Sequence, residues 1–268
     1  MLTSLVLGSL VGAVLGMTGA GGGILAVPAL VAGMGWSMQQ ATPVALIAVA
    51  GSAAIGTAEA WRRRLVRYRA ALVMTAAGMP MTSLGVRLAH RLPQRLLMLM
   101  FALVMLVVAI RLLRQAARGA IVSPESRGCV ARVDPDTGRI AWNWLSAISL
   151  AATGALTGLM TGLLGVGGGF IIVPMLRKLT DITMHGIVAT SLMVIALVGI
   201  GGIASTMLQG AAPPVEFTLL FTVTTALGMV TGRMIAGKLS VRHIQMGFAG
   251  ILVLIAAAMA VKAIVGSW

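Results

Sequence analysis

Gly16-Met17-Thr18-Gly19-Ala20-Gly21-Gly22-Gly23-Ile24-Leu25-Ala26-Val27-Pro28-Ala29-Leu30 returns 146 residues later as Gly162-Leu163-Leu164-Gly165-Val166-Gly167-Gly168-Gly169-Phe170-Ile171-Ile172-Val173-Pro174-Met175-Leu176. Further matches follow in the same order: Ala41-Thr42 with Ala189-Thr190, Gly85 and Ala89 with Gly232 and Ala236, Phe101-Ala102 with Phe248-Ala249. Ordered matches at a nearly constant offset are more than glycine-rich composition produces, so the chain is a tandem duplication. The halves are residues 1–113 and 141–268. Between them lies the one sizeable polar connection, 114–140, with Ser123-Pro124-Glu125-Ser126 and Asp134-Pro135-Asp136-Thr137-Gly138 as turn signals.

Composition names the solvent of both halves. The 268 residues are 59% hydrophobic and 10% charged, where a soluble domain is about 45–50% apolar and about 25% charged. Too few polar side chains exist to cover a water-facing surface, and a bilayer takes their place. Twenty Lys and Arg against six acids give +14. In a soluble protein that excess suggests nucleic acid; here the basic residues cluster between apolar runs, as topology-setting loops do. Aromatic residues at 4% leave little for stacking bases. A single cysteine, Cys129, excludes an internal disulfide and a multi-cysteine metal site. Trp142 and Trp144 stand where the central loop re-enters an apolar run, as interfacial anchors do.

Apolar runs of about 17–25 residues cross a bilayer as helices. Residues 43–61, 70–89, 96–113, 190–209, 217–236 and 245–265 qualify. Their continuous apolarity excludes the alternation of barrel strands. The glycine stretches interrupt two further regions, 2–34 and 146–176. The eleven residues 24–34 reach about 16 Å as a helix, half of a bilayer core of about 30 Å. The expected fold is therefore all-α and membrane-integral, with two repeats of about five segments. Each repeat has a glycine-tipped broken helix pair, and the tips meet near the midplane. No basic residue precedes the first apolar run, so no cleaved signal peptide is expected.

Charge orients the repeats. If each broken region returns to its own side, the halves are inverted. One face then carries 62–69, the central loop from Arg111, Arg177, Lys178, Lys238 and Arg242, fifteen of the twenty basic residues. The other carries Arg87, Arg91, Arg95 and Lys262, with Arg233 left inside a segment. If each region crosses once, the halves are parallel and the split falls to twelve against seven. The positive-inside rule selects inversion, with the central loop cytoplasmic and both termini periplasmic.

Three successive glycines cost about 1 kcal/mol each within a helix, so they serve something other than helix. Irregular backbone at membrane depth must be buried in protein or line a wet cavity. The short helix after each tip aims unpaired N–H groups and about half a positive charge at it, the elements of an anion site. Paired tips at the midplane are also where inverted-repeat transporters hold substrate. Tight helix packing by small residues is the competing account of any single glycine. Neither stretch ends as a P-loop does, and neither sits in a dinucleotide-binding strand context.

With Gly-x-Gly-Gly-Gly-x-x-x-Val-Pro in both halves and a basic central loop, the sequence resembles the TauE/SafE sulfite exporters, also called the TSUP family of anion permeases. The resemblance covers nearly the whole chain and rests on Gly19, Gly21, Gly22, Gly23, Val27 and Pro28, and on Gly165, Gly167, Gly168, Gly169, Val173 and Pro174. It implies a permease for sulfite, an organosulfonate or a related anion in the bacterial inner membrane.

Hydroxyls near the tips join the candidate substrate site: Thr18, Thr42, Thr190 and Ser191, each of which has a helix cap or a bond to its own helix as the plainer role. Arg87 and Arg233, nearly equivalent in the two halves, are candidates for a gate or for attracting anions, or else snorkel to the interface. Glu59 is expected to pair with Arg62 or Arg63. His90, His185 and His243 fall at span edges without metal-ligand spacing. The nineteen methionines are scattered, which favours packing over Cu(I) binding. An intramembrane enzyme would need a Ser/His pair, two Asp within spans or His-Glu-x-x-His, and none is present. No cofactor and no nucleic acid is expected; the partners are a small anion and the lipid bilayer, with a homodimer allowed. A membrane scaffold without transport is the rival reading.

Overall fold

The structure is a computed structural model that describes residues 2–19, 22–117, 143–180, 182–237 and 240–265. Ten α-helices carry the described chain: α1 (Leu2–Thr18), α2 (Ala26–Met34), α3 (Met38–Arg62), α4 (Tyr68–Arg91), α5 (Gln94–Ala117), α6 (Trp144–Leu164), α7 (Gly169–Leu179), α8 (Met184–Leu208), α9 (Val215–Ala236) and α10 (Val241–Val265). A turn of 3-10 helix, Gly22–Leu25, leads into α2. Seven of these helices, α3 to α6 and α8 to α10, are long and apolar enough to cross a bilayer. Relative to the sequence reading, α5 runs four residues past 113, and α6 starts at Trp144. Ala20, Gly21, residues 118–142 with Cys129 and Trp142, Asp181 and Lys238 lie outside the described residues.

Local chemistry sets the helix starts. Ser37 accepts from the Gln40 N–H while the Gln40 side chain accepts from the Ser37 N–H, a capping box that fixes the entry to α3. Asn143 and Ser146 do the same for α6, and Thr183 accepts from the Gly186 N–H at α8.

The α1–α9 and α4–α6 contacts are made by glycine rather than by large side chains. Gly8, Gly12 and Gly16 of α1 lie against the backbone of α9 at Phe221, Thr225 and Met229. Gly154, Gly158 and Gly162 of α6 lie against Met74, Gly78 and Thr82 of α4. A β-carbon at any of these glycines would overlap the facing carbonyl or side-chain oxygen. In a bilayer, where apolar burial gives helices little reason to associate, such backbone approach holds them together. The two ladders are themselves copies at the 146-residue offset. Phe101 and Phe248, paired by the repeat, are both buried in α5 and α10.

These contacts give the helix directions. Residue numbers rise together along α1 and α9, and along α4 and α6. They rise together also along α3 and α9 (Gly51 by Thr222, Gly56 by Met229) and along α4 and α8 (Gly78 by Val198, Thr82 by Gly202). Between α3 and α8 they run oppositely: Gly202 meets Leu46, Gly199 meets Ala50, and Gly56 meets Leu192. Hence α1, α3 and α9 point one way, and α4, α6 and α8 the other. Arg62, Arg63, Arg64, Arg67, Arg69, Arg177, Lys178, Arg233 and Arg242 gather at the end of the bundle where α3 finishes. Arg87, Arg91, Arg95 and Lys262 lie at the other. Outer faces are apolar, with Leu103 62%, Leu227 62% and Leu254 71% exposed, a surface that suits lipid and not water. Trp144 stands exposed at the start of α6, as an interfacial anchor does.

Candidate functional site

The second glycine stretch turns the chain back inside the protein. Gly165 ends α6 in the left-handed region (φ 70), its N–H donating to the Thr161 carbonyl at 2.8 Å. Gly167 (φ 71) and Gly168 (φ 64) keep the chain left-handed, and α7 starts at Gly169. A β-carbon strains all three backbones and finds no room. On Gly167 it would meet Val49 and Ile195 at 3.0 Å, and on Gly168 it would overlap the Thr157 methyl. Residues 161–169 are buried throughout. The N–H groups of Ile171 and Ile172 both return to the Gly168 carbonyl. Those of Val166, Gly167, Gly168, Gly169 and Phe170 meet no acceptor among the described residues. A cluster of buried, unaccepted amides at a helix start is an arrangement that nearly all folded backbone avoids, and it is electropositive.

The first stretch is built differently. Gly19 is left-handed (φ 76) beside Val188, and Gly21, a candidate ligand, lies outside the described residues. Gly22 and Gly23 belong to the 3-10 turn and are not left-handed. Gly22 presses on the backbone of Val14 and Leu15 in α1, which explains it as a packing glycine. Gly23 faces Val49, and a β-carbon on it would stand 3.1 Å from the Val166 carbonyl. The two stretches therefore touch, and they do so at the middle of α3 and α8: Val49 and Ile195 are each the twelfth residue of a 25-residue helix.

The predicted hydroxyls divide. Thr42 is buried, donates to the Met38 carbonyl at 2.7 Å and contacts Gly165. Thr18 donates to the Val14 carbonyl at 2.7 Å and is half-buried. Thr190 is fully buried but accepts from the Arg67 N–H at 3.1 Å, tying α8 to the α3–α4 turn. Ser191 donates to the Val188 carbonyl at 2.8 Å. Arg87 is exposed, and Arg233, whose backbone lies against Gly16, turns its guanidinium to Glu59 at 2.6 Å. Glu59 pairs also with Arg63 at 3.0 Å, so the expected local partner is present and a second comes from the other half.

Two cavities flank the glycines. One of about 220 Å³ runs between the end of α1 and the start of α10, lined by Val14, Met17, Thr18, His243, Ile244 and Phe248; it lies toward the strongly basic end. The other, of about 20 Å³, lies among Met38, Thr42, His90, Leu97, Gly162 and Leu163 toward the opposite end, with room for about one water. Met17 and Leu163 are repeat equivalents at the 146-residue offset, and Leu97 and Ile244 at 147. The two cavities thus share these two positions of the repeat and differ in the rest of their lining.

Sequence reasoning passes over the threonines of α6. Thr153, Thr157 and Thr161 follow one another at four-residue spacing, and Thr157 and Thr161 flank Gly168. The signal is there to be read: at the repeat offset the first half has Leu7, Val11 and Leu15.

A family model described as "Sulfite exporter TauE/SafE" matches residues 4–259. Two proteins of Xylella fastidiosa, from strains 9a5c and Temecula1, each named "Probable membrane transporter protein", are 29% and 30% identical over 266 residues, 97% of this chain and 94% of their own length. "Probable membrane transporter protein YunE" of Bacillus subtilis strain 168 is 24% identical over 242 residues, 87% of this chain and 85% of its own. No solved structure matches with significance.

Proposed function

The chain belongs to the sulfite exporter TauE/SafE family, and from that premise we propose that it is a secondary transporter moving a small, sulfur-containing anion, sulfite or an organosulfonate, across the bacterial inner membrane. The carrying observation is the buried run of unaccepted amides from Val166 to Phe170 at the start of α7, level with the middle of α3 and α8. An unpaired anion in a low-dielectric interior costs several kcal/mol. Aligned amides and a helix start offset that cost with partial charges alone. Partial charges suit a carrier, which must bind well enough to load and weakly enough to release.

Opposed helix directions support inverted repeats. The pair α1 and α6, the pair α3 and α8 and the pair α4 and α9 are equivalents in sequence and antiparallel in space. The lopsided basic residues support a cytoplasmic face at the end of α3. The larger cavity supports an opening toward the basic side, and alternating access would carry the ligand from it past Val49 and Ile195. Radiolabelled sulfite flux into proteoliposomes, with and without a pH gradient, tests the proposal. Folded protein that carries neither sulfite nor a small sulfonate in either direction refutes it and leaves the scaffold reading.

A further inference from the structure

We infer that Thr157 is a ligand of the transported anion, and that the two glycine stretches therefore have different roles, the second binding and the first supporting. This rests on the anion reading above and goes beyond it. Threonine in a membrane helix ordinarily donates to the carbonyl four residues back. Thr153 does so to Ser149 at 2.7 Å, and Thr161 to Thr157 at 2.8 Å. Thr157, between them and fully buried, has no partner for its hydroxyl. Its side chain stands against Gly168, the residue from which α7 starts.

A buried, unpaired hydroxyl is disfavoured unless something binds it. Its methyl group lies against Gly168, one of five residues in a row whose amides also have no acceptor. One oxyanion placed at the α7 start would satisfy both, since its oxygens accept from N–H and O–H alike. Among the described residues the other buried hydroxyl without a partner is that of Thr75, which follows Met74 at the α4–α6 crossing. In the first half nothing equivalent exists among the described residues: Val11 stands in place of Thr157, and Gly22 is pressed on the α1 backbone. A site with one hydroxyl donor on one side discriminates by geometry as well as charge, so the ligand class is a small oxyanion rather than a halide.

The test compares wild type with Thr157→Val, Thr157→Ser and Thr153→Val in proteoliposomes and in detergent, using sodium sulfite and methanesulfonate as probes. A hydrogen bond to a charged ligand predicts that Thr157→Val weakens sulfite binding at least about tenfold. Thr157→Ser stays within about threefold of wild type, and Thr153→Val is unchanged. Without anion, Thr157→Val melts at or above the wild-type temperature, because it removes an unpaired buried hydroxyl; a purely structural threonine would lower it. If the valine variant does not accumulate, Thr157→Ala against Thr157→Ser makes the same comparison. Sulfite binding by Thr157→Val within about threefold of wild type overturns the assignment and leaves the transporter reading standing. Wild-type protein that binds neither probe overturns both.

Discussion

Replacing Gly168 by alanine separates a site glycine from a packing glycine, because the fold contains its own control. Gly168 and Gly35 have nearly the same backbone, φ 64 and φ 68. A β-carbon on Gly35 meets nothing within 4 Å, whereas on Gly168 it overlaps the Thr157 methyl. Alanine in the left-handed region costs about 1–2 kcal/mol at either position. At Gly168 crowding adds about 1–3 kcal/mol, giving about 2–5 kcal/mol in all. Gly35→Ala should therefore melt slightly below wild type in detergent and transport normally. Gly168→Ala should melt lower and lose sulfite flux per folded molecule, since the new methyl group is driven into Thr157 and Thr161 and displaces the Val166–Phe170 run that carries it. Combining it with Thr157→Ala removes the overlapping methyl and should restore the crowding part of the stability without restoring flux. Gly168→Ala that melts no lower than Gly35→Ala and carries sulfite at the wild-type rate would refute both the crowding estimate and the site.

Topology is checked by cysteines at Arg64 and Pro213 in a Cys129→Ser background: an impermeant thiol reagent outside intact cells should label the second and not the first, and labelling of both refutes inversion. A cysteine at Thr18, which lines the larger cavity, should be protected saturably by sulfite and not by choline; its counterpart Leu164 is fully buried and should not label at all. Gly12→Ala should cost about 1–3 kcal/mol or prevent folding, because its β-carbon overlaps the Thr225 carbonyl. Gly247→Ala, in α10 with nothing within 4 Å, should gain up to about 1 kcal/mol from helix propensity; equal melting temperatures for the two variants would refute the glycine-ladder account. Glu59→Gln should change stability by less than about 1 kcal/mol, since both members of the Glu59–Arg233 pair are well exposed, and a larger loss by thermal melting would mean that the pair is held out of water.

The spans are legible because a membrane helix declares itself by length and apolarity over one contiguous run. Residues 43–61 and 217–236 fall within α3 and α9, and the duplication is visible because Gly16–Leu30 and Gly162–Leu176 keep both order and spacing. What stays hidden depends on contacts between distant residues. Gly22 and Gly168 are equivalent letters at the repeat offset, yet one presses on its own preceding helix and the other turns left-handed beside a threonine. No local pattern separates them, because φ at a glycine is set by what surrounds it. The Arg233–Glu59 pair joins residues 174 apart, so a reading confined to neighbours finds only Arg63.

The threonines of α6 teach a different lesson about duplicated chains. The search for repeats rewards agreement, and agreement marks what both halves need: glycine ladders, turns and the short helices. A substrate sits on one pseudo-axis but need not be held equally from both sides. The residues that hold it from one side are then those where the halves disagree in polarity, such as Thr157 against Val11 at a buried position of a membrane helix. A buried hydroxyl in hydrocarbon surroundings is unfavourable unless it is bonded, so a threonine that replaces valine there and forgoes its own helix carbonyl needs a reason from outside the helix. The anion proposed at the start of α7 would supply it, accepting from the hydroxyl and from the Val166–Phe170 amides alike.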